Sequence, residues 1–207
     1  MNNPREPTIV PLTPARLPDL AQLFEEGGDP KWCWCAYFRV RGIDFSAAGK
    51  ARHRSVLEAA VANGAVAGRA PGLVAYEDDR AVGWISLGPR DDDYERLTHT
   101  RVLAPVDDTP VWSIVCFVVG RRSRGRGIAA ALLDAGIAYA RDHRATMLEA
   151  YPAEVPEGER IPSANVYRGT VSMFERAGFE VVARRQWNAS TPVRPIVRLD
   201  LGRADRS

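Results

Sequence analysis

Lysine is nearly missing from this chain: Lys31 and Lys50 are the only two, so 26 of the 28 basic residues are arginines. Against 26 acidic residues the net charge is only +2. That balance gives no argument for a surface built to gather nucleic acid or an anionic membrane, and any anion site must be local. Cysteine is scarce as well. Cys33, Cys35 and Cys116 are too few for a disulfide framework, and Cys33 and Cys35 stand too close in the chain to bridge each other easily, so reduced thiols are expected. His53, His99 and His143 are scattered, and with two clustered cysteines they do not give the four-ligand spacing of zinc; no metal is expected. No run approaches the roughly 18 apolar residues of a membrane span. Met1-Asn2-Asn3-Pro4-Arg5-Glu6 has neither the basic start and apolar run nor the cleavage site of a secretory signal, so the chain reads as cytoplasmic. Repeats and low-complexity tracts are also lacking.

What is present is ordinary for a globular protein: 207 residues, 45% hydrophobic and 26% charged, read as one domain over residues 1–207. A short strand over 8–12 leads to Thr13 and Pro14, an N-cap and first-turn proline that open a helix through Leu17, Leu20 and Leu23, stopped by Gly27-Gly28. Residues 31–40 are aromatic-rich, and 46–62 read as a second helix. Strands over 72–77 and 81–87 flank Asp78-Asp79-Arg80, a hairpin signature. A polar stretch over 88–110 precedes the most hydrophobic strand, 111–119. That strand runs through Gly120-Arg121-Arg122-Ser123-Arg124-Gly125-Arg126-Gly127 into a helix over 128–141, in which Ala129, Ala130 and Ala131 allow a close approach to the sheet. Residues 152–162, with Glu154, Glu157 and Glu159, read as a mobile loop.

Strand, glycine-rich basic turn and helix together make a device for holding phosphate. Small residues let successive backbone N–H groups point at one anion, and the helix amino terminus adds about half a positive charge. The turn lacks the Gly-Lys-Ser/Thr ending of a P-loop and the Gly-x-Gly-x-x-Gly of a dinucleotide fold, which disfavours both alternatives. Its arginine cluster is short and without interleaved aromatics, so a nucleic-acid partner is not expected.

At this turn the sequence resembles the GCN5-related N-acetyltransferase (GNAT) superfamily, whose acetyl-CoA signature Gln/Arg-x-x-Gly-x-Gly/Ala is matched by Arg124-Gly125-Arg126-Gly127-Ile128-Ala129. The order of elements is similar over nearly the whole chain, and Phe174-Glu175-Arg176-Ala177-Gly178-Phe179 resembles the family's late aromatic-x-x-x-Gly-Phe ending. The resemblance implies an α/β (α+β) fold: a mixed, mostly antiparallel twisted sheet of about seven strands flanked by about four helices. It also implies that acetyl-CoA is the co-substrate. The CoA diphosphate would sit on backbone amides of Arg124, Gly125, Arg126, Gly127, Ile128 and Ala129, with pantetheine along Phe117, Val118 and Val119 as an added strand. Cys116 in that strand is either a thiol near the thioester or simple packing.

Acyl transfer to an amine needs a proton acceptor, donors to the developing oxyanion and sometimes an acid for the leaving thiolate. The family's frequent acid, a tyrosine before the late Gly-Phe, is Phe174 here, which cannot donate a proton. Helical spacing of three, four and seven would put Tyr167 on the same face as Phe174, as the substitute acid or as a mere cap of that helix. Glu149 lies on an apolar strand over 146–151, sharing a face with Met147 and Tyr151. It is either the base or an acid paired with an arginine. By the same resemblance Trp32, Trp34 and Tyr37 would border the acceptor pocket, with core packing as the alternative. Asp91-Asp92-Asp93 reads as a solvated loop. Two functions follow: transfer of an acetyl group to a primary amine in a ternary complex, by a monomer or homodimer, or a CoA-binding sensor without turnover, suggested by Phe174.

Overall fold

The computed structural model describes residues 6–26, 28–154 and 167–202. Residues 155–162 of the loop expected over 152–162 therefore lie outside the described residues, as does Gly27 of the expected helix stop. In chain order come β1 (Thr8–Pro11), α1 (Leu17–Glu25), α2 (Pro30–Cys33), α3 (Gly42–Ala47), α4 (Lys50–Ala67), β2 (Gly72–Glu77) and β3 (Arg80–Pro89). Then follow α5 (Arg90–Asp93), α6 (Glu95–His99), β4 (Trp112–Val119), α7 (Ile128–Asp142), β5 (Met147–Ala150), α8 (Val171–Arg176), β6 (Glu180–Arg185) and β7 (Arg194–Asp200). The strands form one sheet in the order β1-β2-β3-β4-β5-β7-β6. Every neighbouring pair is antiparallel except β4 with β5.

The expected mixed, mostly antiparallel seven-stranded sheet is therefore present, with more helices than expected because five of the eight described are six residues or shorter. Two of these, α5 and α6, stand inside the stretch read as merely polar. The helix expected over 46–62 is two. Ala48 and Gly49 are extended, with ψ of 151° and 177°, so α3 ends and α4 begins afresh and runs on to Ala67. The Thr13-Pro14 start gives a single 3-10 turn, Pro14–Arg16, before α1. The β2–β3 hairpin turns through Asp78 and Asp79, both with positive φ (45° and 62°), the hand that matches strand twist.

Helices cover both faces of the sheet. Val74, Trp84, Val115 and Ile196 pack under α1 and α4 through Leu20, Phe24 and Leu57. Ile85, Ile114, Leu148 and Val197 pack under α7 and α8 through Leu132, Leu133 and Phe174, each such burial contributing about 1.5–3 kcal/mol. The close approach of α7 uses Ala129, which packs against the core on this face, but not Ala130, which is exposed. It runs over Gly83 of β3, where a Cβ would stand 2.7 Å from Ile128 Cγ2 and 2.9 Å from Leu132 Cδ1.

Candidate active site

The fold opens a gap beside β4. Parallel pairing with β5 covers only Trp112, Ser113 and Ile114, opposite Leu148, Glu149 and Ala150. On its other side the β3 register shifts between Ser86, opposite Cys116, and Leu87, opposite Ile114, leaving Val115 as the extra residue of a bulge. A bulge bends its strand. Beyond Ile114, β4 thus leaves β5, and the freed edge of residues 117–119 lines a groove of about 450 Å³. Arg124, Gly125, Gly127, Ile128 and Ala129 line the same groove, with Gly28, Asp29 and Pro30 also contributing.

The groove therefore gathers eight of the nine residues expected for CoA. The side chain of Arg126 turns away, with its two terminal nitrogens each 2.9 Å from a carboxylate oxygen of Glu77. Gly127 is the N-cap of α7 at φ 81°, and a Cβ built there meets nothing within 4 Å. The space over the first turn of α7, where free N–H groups and the positive end of the helix dipole point, is thus left open. One slot on the freed edge is filled: the Phe117 N–H donates to the carbonyl of Tyr167 at 2.5 Å. Backbone alternation aims the Val119 N–H to the same side.

Tyr167 is not on the helix expected for it. Thr170 is the N-cap of α8, its Oγ1 accepting from the Met173 N–H at 3.3 Å, and Tyr167 lies three residues before it in a turn. The helical-face argument fails there, yet the residue reaches the groove. Tyr167 lines it together with Gly169, Thr170 and Met173, and also lines a second cavity of about 250 Å³. It is the only described residue common to the two. Burial pushes its hydroxyl up to about 12, the neighbouring Arg168 opposing part of the rise, so the phenol stays protonated. Phe174 is fully buried against Phe117 and Phe179, with centroids 6.1 and 5.0 Å away.

Glu149 does not meet the groove. Fully buried, it accepts from Tyr151 Oη at 2.6 Å on Oε1 and from Arg198 Nε at 2.8 Å on Oε2, while Arg90 Nη1 stands 3.7 Å from Oε1. Ser113 Oγ lies 2.9 Å from the same Tyr151 hydroxyl, and Arg198 Nη1 donates to Asp107 at 2.6 Å. Cross-strand register explains the cluster, since Glu149 lies between Ser113 of β4 and Arg198 of β7. The arginine-paired alternative for Glu149 is what the geometry supports, and the base role loses its footing because both oxygens are engaged away from either cavity.

Of the three expected acceptor-site aromatics only Tyr37 lies at a cavity, the second one, its ring under Arg96 at 3.8 Å. Trp34 is wholly buried, edge-on to Phe24 at 5.4 Å, and belongs to the core. Trp32 is 63% exposed and lines neither cavity. Asp93 is no solvated charge, because it binds Arg69 at 2.5 Å under partial cover. Sequence reasoning missed a buried thiol pair: Cys35 and Cys116 sulfurs lie 3.3 Å apart, with Trp84 Nε1 donating to Cys35 at 3.3 Å. The hydrogen bond between the two thiols pulls Cys35 down, while that bond and burial push Cys116 up. Cys116 faces this pair, on the sheet side away from α7, rather than the groove. It also missed the second cavity's Arg168, Arg194 and Trp187. Among the described residues no group of three or more His, Cys, Asp or Glu is placed to hold a metal, and no helix is long and apolar enough to cross a membrane.

Among solved structures, a histone acetyltransferase HPA2 and related acetyltransferase of Corynebacterium glutamicum matches at TM-score 0.55 and 19% identity, over 94% of this chain and 96% of that one. The ribosomal-protein-alanine N-acetyltransferase of Brucella melitensis matches at TM-score 0.53 and 19% identity, over 93% and 99%. The NatC complex bound to Gag peptide and CoA matches at TM-score 0.51 and 14% identity, over 95% and 99%. These likenesses show the fold. A search of curated protein sequences finds no significant match. The model of the acetyltransferase (GNAT) family matches residues 30–170, which span the aromatic segment, the splayed β4 edge, the glycine turn and Tyr167, and the chain belongs to that family.

Proposed function

We propose that the protein is an N-acetyltransferase that moves the acetyl group of acetyl-CoA to a primary amine by direct attack in a ternary complex, the chain acting as one catalytic unit. The observation that carries this reading is the groove beside the freed β4 edge, which shares Tyr167 with a second cavity. The CoA seen with the NatC relative supports acetyl-CoA as the co-substrate. In this reading the diphosphate rests on the turn's amides from Arg124 to Ala129, with Arg126 contributing backbone alone. Pantetheine follows residues 117–119, bonding at Val119, while the Tyr167 carbonyl serves Phe117. The neutral amine enters from the second cavity and attacks the thioester carbon, and its proton passes to water. Tyr167 Oη protonates the sulfur as the carbon–sulfur bond breaks, and the phenolate takes a proton back from water.

Binding is tested by thermal shift. A ligand at a hundredfold excess over its Kd stabilises the native state by about 2.7 kcal/mol, roughly 5–11 °C for a chain of this size. No shift with millimolar acetyl-CoA would sink the placement. Turnover is tested by release of free CoA thiol with a panel of amines; the sensor reading, which rests on Phe174, wins if acetyl-CoA binds and no thiol appears.

Tyr167→Phe is expected to lower kcat about tenfold, less than general acids usually contribute, because a thiol of pKa about 8.5 already leaves tolerably. Since the phenol is pushed up to about 12, the parent enzyme should show no falling limb across roughly pH 8 to 10. A limb centred near the ordinary phenol value, or an unchanged rate in the variant, would remove Tyr167 from the acid role.

A further inference from the structure

We propose that the second cavity recognises a carboxylate on the acceptor, so that the acceptor class is a small amine that also carries a carboxylate, a free amino acid being the simplest. The inference rests on the acetyltransferase reading for the amine and on separate observations for the anion. Arg168 is only 5% exposed, lines this cavity, and its Nε is buried with no hydrogen-bond partner among the described residues. Arg194, at the start of β7, lines the cavity beside it and likewise makes no ion pair with a described acid. Among the described residues no aspartate or glutamate lines the cavity. In this chain that is unusual, since the other buried arginines, Arg90 and Arg198, each face a carboxylate.

A guanidinium withdrawn from water without a counter-charge is costly, and proteins keep such a group where a ligand supplies the missing charge. Burial pulls Arg168 down from its ordinary range, and the charge of the neighbouring Arg194 adds to the fall. The planar fork of each guanidinium matches a carboxylate with two parallel N–H···O bonds. The volume of about 250 Å³ equals roughly eight waters, enough for a small molecule and too little for a folded segment. Tyr167, shared with the acetyl-CoA groove, and Tyr37 set the cavity beside the point of transfer. The same two cations disfavour a protonated amine nearby and so help present the neutral nucleophile that the reaction requires.

The test measures binding and turnover separately. Calorimetry on the protein, alone and saturated with CoA, would compare free amino acids with their amides, their decarboxylated amines and phosphoethanolamine. The amino acids are expected to bind about ten- to a hundredfold more tightly than the amides. Arg194→Gln should abolish that preference while leaving the affinity for the amide where it was. Arg168→Met should also abolish it, and because it removes an unpaired buried charge the melting temperature should hold or rise. A fall in melting temperature with the preference intact would mark Arg168 as structural and overturn the proposal. Equal binding of acid and amide, or tighter binding of phosphoethanolamine, overturns it too. Preferred binding of amino acids without thiol release would instead overturn the acetyltransferase reading and leave the anion site standing. Thiol release with amides and amino acids alike would do the reverse.

Discussion

Glu149→Gln is expected to destabilise the protein by about 3–5 kcal/mol, the usual cost of removing one partner from a buried ion pair. The carboxylate receives the Tyr151 hydroxyl at 2.6 Å and the Arg198 guanidinium at 2.8 Å, with Arg90 at 3.7 Å, and Glu149 and both arginines are nine-tenths or more buried. Glutamine matches the shape, but its amide carries no charge and turns a donor toward one of these neighbours. Two buried guanidinium groups then lose their common counter-ion, keeping only the more exposed Asp107 on Arg198 and Asp91 on Arg90. For a chain of this size the loss corresponds to roughly 6–20 °C in melting temperature. Urea titration should show a lower midpoint with an unchanged slope, because the surface exposed on unfolding is the same. The rate of acetyl transfer per folded molecule should stay within a few fold. A variant that melts with the parent yet loses activity most strongly near neutral pH would reverse this assignment and make Glu149 the base after all.

That residue illustrates what was legible in the sequence and what was not. Alternation along the strand correctly put Glu149 on the face of Tyr151, because period two is a local property. Its partners were not readable. Arg198 comes from a strand 49 residues later and Arg90 from α5, and in a chain with 26 arginines no single one signals itself. The β4–turn–α7 unit was legible because strand, glycines and helix are contiguous, and the groove follows from them. The splay of β4 from β5 was not, since it depends on a bulge at Val115 that no residue type announces. Tyr167 was reached by a failed route. Thr170 caps α8, a signal present in the sequence as a threonine before an amphipathic run, and reading it would have begun the helix only after Thr170. The aromatic segment mixes fates within four residues: Trp34 enters the core with φ of 46°, and Tyr37 reaches the second cavity. The left-handed turn at Trp34 and Cys35 that divides them lies at residues that rarely adopt it, so pattern reasoning had no reason to expect a break. Arg168 and Arg194 were invisible for the opposite reason: what matters about them is that no described acid faces them.

Gly127→Val is expected to weaken acetyl-CoA binding about a hundredfold or more while the protein stays folded. Gly127 caps α7 at φ 81° and ψ 0°, and a built Cβ meets no atom within 4 Å, so the added side chain enters the groove instead of striking the protein. There it covers the N–H groups of the first turn of α7, whose hydrogen bonds to a charged diphosphate are each worth about 1.5–3 kcal/mol. Loss of two such bonds exceeds a hundredfold. The substitution also carries backbone strain, because a left-handed conformation costs an L-residue about 1–2 kcal/mol, and more when the side chain is β-branched. That cost is small beside a domain stability of about 5–15 kcal/mol. Strain and obstruction are separated by Gly68→Val. Gly68 closes α4 at φ 69°, a built Cβ there also meets nothing within 4 Å, and it does not line the groove. It should therefore lose similar stability and keep its affinity. Equal affinities for acetyl-CoA in the two folded variants would mean that the diphosphate does not rest on this turn.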